Sequence, residues 1–443
     1  MSINLPIPAA FTLYAKLWLL SAVLTLLPAV GWSQEYTVTN LGTLGGSTST
    51  AYAVNNNGQV VGSANVTGNA HADPFLYSNG VMTNVWKGGT KYGATAVAIN
   101  DDGHFVVNHN LDTNGDTESY FWDGALLTDL GTGGATSMNA SDMVVGNSIM
   151  GRSSLDNYWV YANGKLDRSP GYTHPGAGNA WAWSVNNDGV IAGMCNDGVP
   201  LSYSWGCVFG PNVSYDLQNL DGGVFPTTIA IRSDGTTCSI DGNNSFAIWS
   251  NTGTEMVDFS LDYGVWCNGL DDYGDAVGGY LPTSSESVAL IYDPLNGERD
   301  LDQLAEHSHS FPLFIVQNAV AISDTGYIAA NCQYTWLHHT VEQHACLLTP
   351  NPAPILGNNI LQLAKVKPHC EICKRDLVPE AKSLPESLER LSLEERNRVR
   401  KTVEEIDEHL KAAFDDKQIS ASQAGLLLHQ SEMVLKAIGV GLP

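Results

Sequence analysis

Basic residues are scarce and unevenly placed in this 443-residue chain: 21 Lys and Arg stand against 46 Asp and Glu, a formal charge of −25. Thirteen of the 21 lie from residue 351 onward, so the stretch before it carries almost all the excess acid. A surface of that sign repels phosphate backbones and anionic lipid heads, which argues against nucleic acid or a membrane surface as partner. Glutamate is also sparse, with seven between residues 35 and 350 and none recognisably paired with a second acid. Two-carboxylate glycoside hydrolysis is therefore unsupported, although Asp could serve. There is no GxSxG elbow, no HExxH and no phosphate-binding glycine loop. Long apolar runs are missing apart from "LWLLSAVLTLLPAV" at 17–30, which is short for a membrane span. Lys16 precedes it, and Gly31 and Ser33 supply small residues at the −3 and −1 positions of a cut before Gln34. Residues 1–33 thus read as a signal peptide, and the mature chain is expected to be secreted (periplasmic or extracellular), without membrane insertion after signal cleavage.

What is abundant is an Asn/Asp-Gly turn. It recurs as "VNNNG" (54–58), "INDDG" (99–103), "MNASD" (138–142), "VNNDG" (185–189), "IRSDG" (231–235), "LDDYG" (270–274) and "ISDTG" (322–326). The closing positions are spaced by 45, 39, 47, 46, 39 and 52 residues, a period suited to four short strands with their turns. Each copy parses into a small-residue strand such as "AYAV", the turn, a β-branched strand such as "QVVGS", a variable loop, an aromatic-bearing strand such as "SYFWD", and a fourth strand such as "LLTDL". Such a copy makes one blade of a β-propeller, with the Ala-rich first strand at the narrow centre.

The seventh copy lacks its fourth strand: after "HACLLTP" (344–350) comes "NPAPILGNN". "YTVTNL" at 36–41 is that strand, displaced to the other end of the chain, where it would close the ring. Beyond residue 350 the period changes from two to about 3.6. Ser392 with Glu395 and Ser420 with Gln423 read as capping boxes of two amphipathic helices. The expected fold is thus all-β: a seven-bladed β-propeller of four-stranded blades over 36–350, closed by an N-terminal strand. A linker with a CxxC motif and a C-terminal α-helical hairpin follow over 351–443. The hairpin buries little alone, so 392–438 is expected to pack on the propeller, form a homo-oligomer or dock on a partner.

The elements "TNLGTLGG", "AYAVNNNGQVVG" and "HADPFLYSNGVMTN" together resemble the HAF repeats of bacterial extracellular proteins. The resemblance spans roughly residues 36–350. It implies a secreted, propeller-like repeat protein and transfers no catalytic residues.

Phase in the repeat also pairs cysteines. Cys195 and Cys332 each lie six residues after the turn glycine, and Cys207 and Cys346 share a place in the third strand, predicting Cys195–Cys207 and Cys332–Cys346. Cys238 and Cys267 are candidates to link blades five and six. Cys370 and Cys373 form "CEIC", where Lys374 rather than His excludes a haem site and a local disulfide is the expectation.

Recognition is expected on the rim that carries the variable loops between second and third strands. Candidate ligand-binding residues there are Tyr92, Tyr172, Tyr203, Trp205, Tyr334, Trp336 and His338, with Trp181 and Trp266 as further aromatics and His339 and His344 beside His338. Asp112, Asn114, Asp116 and Glu118 alternate like oxygen ligands of a calcium loop, with the glycine one place early, so calcium is the one candidate cofactor. The functional expectation is a binding, adhesion or scaffold protein recognising an extracellular protein or glycan. A propeller hydrolase or lyase acting on extracellular glycan is the alternative.

Overall fold

The computed structural model describes residues 34–439 apart from 87–91, 113–115, 149–157, 169–178, 197–203, 212, 218–226, 241–245, 260–263, 283–286, 307–312 and 336–340. Their strands form seven sheets, six of four strands and one of five. Blade one comprises Gly45–Val54, Val60–Val66, Ala72–Ser78 and Val81–Asn84, paired in chain order. Blades two to six repeat that order over 94–132, 134–167, 179–216, 227–259 and 265–300. The first strands of successive blades meet around the whole ring, including Leu313–Ile322 of blade seven against Gly45–Val54 of blade one.

Small side chains allow that convergence: Ala51, Ala96, Ala182 and Ala319 are each at most 1% exposed. In all seven blades the first strand also carries a β-bulge, as between Ala51 and Ala53, Ala96 and Ala98, or Ala319 and Ala321. The bulge drives a carbonyl onto the second strand. A Cβ at Gly62 would lie 2.0 Å from the Thr50 carbonyl oxygen, and one at Gly193 would lie 1.8 Å from that of Trp181. This approach is why "QVVGS" and "VIAGM" hold glycine at that place.

The repeated turns join blades as well as strands. Asn55 Oδ1 accepts from the backbone N–H groups of Asn57 and Gln59 at 3.1 and 3.0 Å, while its Nδ2 donates to the Asn100 carbonyl of the next blade at 2.8 Å. Asn139 and Asn186 reach the following blade in the same way, each at 2.9 Å. One residue further on, Asn56 N–H donates to Asp101, Ala140 to Asn187, Ser233 to Asp272 and Asp272 to Asp324, and in blade seven Thr325, two residues after Ser323, donates back to Asn56. In copy three the closing residue is Asp142, which holds φ at 61° and accepts from Asn100 Nδ2 at 2.8 Å. An aspartate tolerates that left-handed backbone, and here its carboxylate gains an inter-blade bond.

Blade seven is completed from the chain's beginning. Tyr36–Asn40 runs antiparallel to 346–350, with Tyr36 opposite Pro350 and Asn40 opposite Cys346. Ala305–Glu306 adds a short parallel strand outside Tyr36 and Thr37, so the N-terminal strand is fourth of five rather than the edge. Glu35 extends the latch: its N–H donates to the Leu304 carbonyl at 3.0 Å and its carbonyl accepts from Asn351 N–H at 2.7 Å.

The tail holds three main helices, α1 (Pro352–Val366), α2 (Leu393–Asp415) and α3 (Ala421–Ala437). The capping boxes of α2 and α3 form as expected. Helix α1 corrects the reading of its segment as linker. Pro352 and Pro354 occupy its first turn, where the ring's lack of an N–H does no harm, and Ile355, Leu356, Ile360 and Leu363 are buried behind them. The apolar stripe of α2 (Val399, Val403, Ile406, Leu410) shares one core with α1, α3, and Tyr273 and Leu295 of blade six. His429 of α3 stacks on Tyr273 at 3.5 Å and donates from Nε2 to the Asp324 carbonyl at 2.7 Å. Of the three expectations for 392–438, packing on the propeller is the one seen for the α2 stripe, which is covered within the chain.

All eight cysteines are bonded. Cys195–Cys207 and Cys332–Cys346 each tie second to third strand inside a blade, with Cα separations of 5.9 and 6.2 Å. Cys238–Cys267 staples blade five to blade six, and Cys370–Cys373 closes a helical turn between α1 and α2.

Candidate functional site: an aromatic cleft between blades one and two

Three of the aromatics expected on the variable rim, Tyr92, Trp205 and Tyr334, fall among the described residues and occupy separate surroundings. Tyr172, Tyr203, Trp336, His338 and His339 lie outside the described residues. Tyr92 is exposed, with its carbonyl accepting from Asn110 Nδ2 at 3.3 Å. Trp205 donates from its indole to Asp216 at 2.6 Å and packs half-buried between blades. Tyr334 is interior rather than on the rim: it is 6% exposed, edge-on to Phe314 at 4.7 Å and tilted on His344 at 4.9 Å. Burial pushes its phenol above the ordinary range. His344 is itself buried between Asn40 and the Ser47 carbonyl, and Trp266 donates to Asn318.

The acidic loop is likewise engaged with itself. Asp112 Oδ1 accepts from Asp116 N–H at 3.2 Å, Glu118 accepts from the Tyr120 hydroxyl at 2.9 Å, and Asn114 lies outside the described residues. Among the described residues no three His, Cys, Asp or Glu side chains converge as a metal-binding set.

On the turn rim, the mouth of the central channel is a polar hollow of about 190 Å³ ringed by Asn56, Asp101, Asn187, Ser233, Asp272 and Asp324. Its acids already serve the inter-blade bonds: both Asp101 oxygens accept from Asn56, and Asp272 and Asp324 each accept a backbone N–H. Burial, with Asp272 nearby, raises the Asp324 carboxyl above the usual range. Two further acids with raised affinity for protons, Asp271 and Asp275, are enclosed under the blade-six turn. Perturbed carboxyls often mark catalysis. Here Asp271 instead caps its own turn, accepting from Tyr273, Gly274 and Asp275 N–H at 2.8–2.9 Å.

A cleft of about 560 Å³ lies between blades one and two, walled by Leu76, Val85, Trp86, Phe105, Trp122 and Leu127, with Asn84 beside them. Strand pairing sets one wall: Phe105 lies opposite Trp122 across the ladder, and their rings stack at 6.1 Å. A local turn sets the other. Trp86 N–H donates to Asn84 Oδ1 at 2.8 Å, Asn84 Nδ2 donates to Asp73 at 2.7 Å, and Val85 N–H donates to the Pro74 carbonyl at 3.1 Å. The Trp86 ring leans on Tyr120 at 5.3 Å and His109 at 5.4 Å. Burial, then the Glu118 hydrogen bond, pushes the Tyr120 phenol up to about 12. At the mouth of the cleft, the wall residue Leu127 is 42% exposed and its neighbour Leu126 is 62% exposed. The result is a preformed apolar slot between rigid sheets, able to take a planar or branched apolar group.

Sequence reasoning missed this cleft although a signal was present. In "SYFWD" the alternation that buries Phe121, at 3% exposure, must turn Trp122 to the opposite face of the strand. That Trp86 comes to face it follows only from neighbouring blades lying side by side.

No family model matches the chain, and no curated protein matches it in sequence. Among solved structures it is similar to a protein of unknown function from Dyadobacter fermentans (10% identity, 71% of this chain and 98% of the other, TM-score 0.33). It is also similar to the lectin of Aleuria aurantia in complex with Fucα1-6GlcNAc (13% identity, 58% and 94%, TM-score 0.30). A third likeness is to a protein of Arthrobotrys oligospora (10% identity, 70% and 86%, TM-score 0.29). At these values no residue or ligand is carried over to this chain.

Proposed function

We propose that the protein is an extracellular binding propeller that captures a partner protein by an apolar anchor side chain inserted between blades one and two. The observation that carries this reading is the cleft walled by Trp86, Phe105 and Trp122 and continued outward by exposed Leu126 and Leu127. Exposed apolar surface flanking a rigid aromatic slot is typical of protein interfaces, where a few buried anchors dominate affinity. A glycan site needs more hydrogen-bonding groups than this cleft offers, since the Asn84 amide is already engaged on both sides. The extracellular location is supported by the leader-like N-terminus, the four disulfides, and the lack, among the described residues, of any helix long and apolar enough to cross a membrane. The likeness of the repeat to HAF-type extracellular proteins belongs to the same proposal.

The test is selection of displayed peptides on the purified protein, followed by titration of the winners against wild type and Trp122→Ala. Peptides with a large apolar anchor are expected, and the substitution should weaken them by about 2 kcal/mol, roughly thirty-fold in Kd. Peptides that bind the variant equally well would remove the cleft from the proposal. Saturable glycan binding abolished by Trp122→Ala would reassign its ligand.

A further inference from the structure

A β-bulge in each first strand leaves one residue out of register with the second strand, two positions before the apolar residue that opens the repeated turn. Val97, Thr136, Asn268 and Val320 hold that place in blades two, three, six and seven, and each turns aside onto a neighbouring blade. Thr136 Oγ1 donates to the Ala182 carbonyl at 3.1 Å and Asn268 Nδ2 to the Ala319 carbonyl at 2.8 Å, while Val97 and Val320 are half-buried in cores shared by two blades. Blades one and four instead place Tyr52 and Trp183 there, and these stay 45% and 40% exposed. Among the described residues neither ring stacks on another or makes a hydrogen bond.

Such exposure has one direction to go. Neighbouring blades cover both faces of an innermost strand, so side chains left open between buried Ala51 and Val54, and between buried Ala182 and Val185, enter the central channel. Val54 and Val185 both line the channel mouth on the turn rim, which sets Tyr52 and Trp183 about 7 Å deeper, the rise of two strand residues. Blades one and four are three steps apart one way round the ring and four the other, so the two rings enter from opposite sides. Each first strand comes within 8 Å of the next between Cα atoms, and seven strands so spaced enclose roughly 18 Å between backbones. Two aromatic side chains reaching in from opposite sides narrow that space to the width of a small molecule.

The lining at this level also selects charge. None of the seven first strands carries an acidic or basic residue. The mouth beside them holds Asp101, Asp272 and Asp324 and, among the described residues, no Lys or Arg. An uncharged passage ending at three carboxylates attracts cations, and low-dielectric walls concentrate that field. The faces of Tyr52 and Trp183 add to it, since an aromatic quadrupole favours a cation set over the ring. Thr136 and Asn268, the polar side chains at the same level, are already engaged with the next blade. A cation with N–H groups would therefore lose bonds to water without replacement, whereas a fully alkylated nitrogen has none to lose. We infer that the central channel binds a small quaternary ammonium group between Tyr52 and Trp183. This site is separate from the cleft between blades one and two and stands or falls independently of it.

Choline and 3,3-dimethylbutan-1-ol, which share a shape and differ in the charge of one atom, test the inference by ligand-observed NMR titration of the full chain. Methyl glucoside serves as a neutral sugar. Wild type should bind choline at least about tenfold more tightly than either neutral probe. Tyr52→Leu and Trp183→Leu should each weaken choline about fivefold or more, and Tyr52→Phe, which keeps the ring face, should stay within about twofold of wild type. Both side chains are open to the channel, so the thermal midpoints of these variants should match that of wild type. Trp122→Ala, in the other cleft, should bind choline as wild type does. Absence of choline binding up to about 10 mM, equal binding of the neutral alcohol, or tighter binding of the sugar would each overturn it. So would choline binding that survives both Leu variants, a loss in Tyr52→Phe as large as in Tyr52→Leu, or a loss in Trp122→Ala.

Discussion

Arg299 bridges two carboxylates that are almost wholly withdrawn from water: Glu35 at 2.8 Å and Asp293 at 2.7 Å, each with a side chain 2% exposed. Asp293 spends its other oxygen on the N–H groups of Leu295 and Asn296, and Glu35 also accepts from Asn358 of α1. One guanidinium therefore joins the N-terminal latch, blade six and the tail. Arg299→Ala would strand two buried anions, and a loss of about 3–5 kcal/mol is expected in urea denaturation. Arg299→Lys should recover little of it, because one ammonium cannot replace a planar fork that spans two acids. Little in the sequence pointed to this group. Glu35 and Arg299 are separated by 264 residues, and scarcity of both residue types before residue 350 was the only sign that each had a dedicated task. The glycine and asparagine patterns of the repeat were legible in position but not in cause. The bulge that demands Gly62, and the neighbouring turn that receives Asn55, both belong to contacts outside the local segment.

Among elements, the strand Tyr36–Asn40 has the clearest expected consequence. Deleting it leaves the ladder face of 346–350 without a partner and removes the bond between the ends of the ring. Thermal unfolding of the deletion should begin far below that of wild type. Shortening the turn at 67–71 between Val60–Val66 and Ala72–Ser78 should shift the midpoint by only about 2–4 °C, since loop length costs little. Equal midpoints for the two variants would refute ring closure as a source of stability. This element was readable because a repeat that lacks a strand at one end and has a spare one at the other leaves a single economical parse. Helix α1 was not readable in the same way. Prolines at 350, 352 and 354 look like a break, and only the buried spacing of Ile355, Leu356, Ile360 and Leu363 reveals that two of them start a helix.

For the molecule as a whole, acidity couples to stability through the turn rim. Burial raises the Asp271 carboxyl to about 7 and lifts Asp275 in the same direction. An acid whose folded value lies above its unfolded value of about 4 stabilises the native state while protonated. That contribution is complete below about pH 4 and is lost as the pH climbs towards and past 7. Wild type should thus lose stability between pH 5 and 8. Asp271→Asn, which keeps the capping oxygen as Asn55 and Asn186 do, should be flatter over that range and more stable at pH 8. Parallel pH curves for the two proteins would remove Asp271 as the cause.

The seven-fold architecture was legible at this scale because a turn repeated seven times is a strong periodic signal. The sites were not, because each cavity is bounded by segments from different blades. The closing strand has a last consequence, in time rather than in space. Tyr36 leaves the ribosome near the start of synthesis, while its partner Pro350 emerges hundreds of residues later. Throughout elongation the nascent protein carries an unsatisfied β-prone segment at its leading end, able to mate with the wrong sheet or with another molecule. Delivery of residue 350, more than the completion of any earlier blade, is the event that ends that exposure.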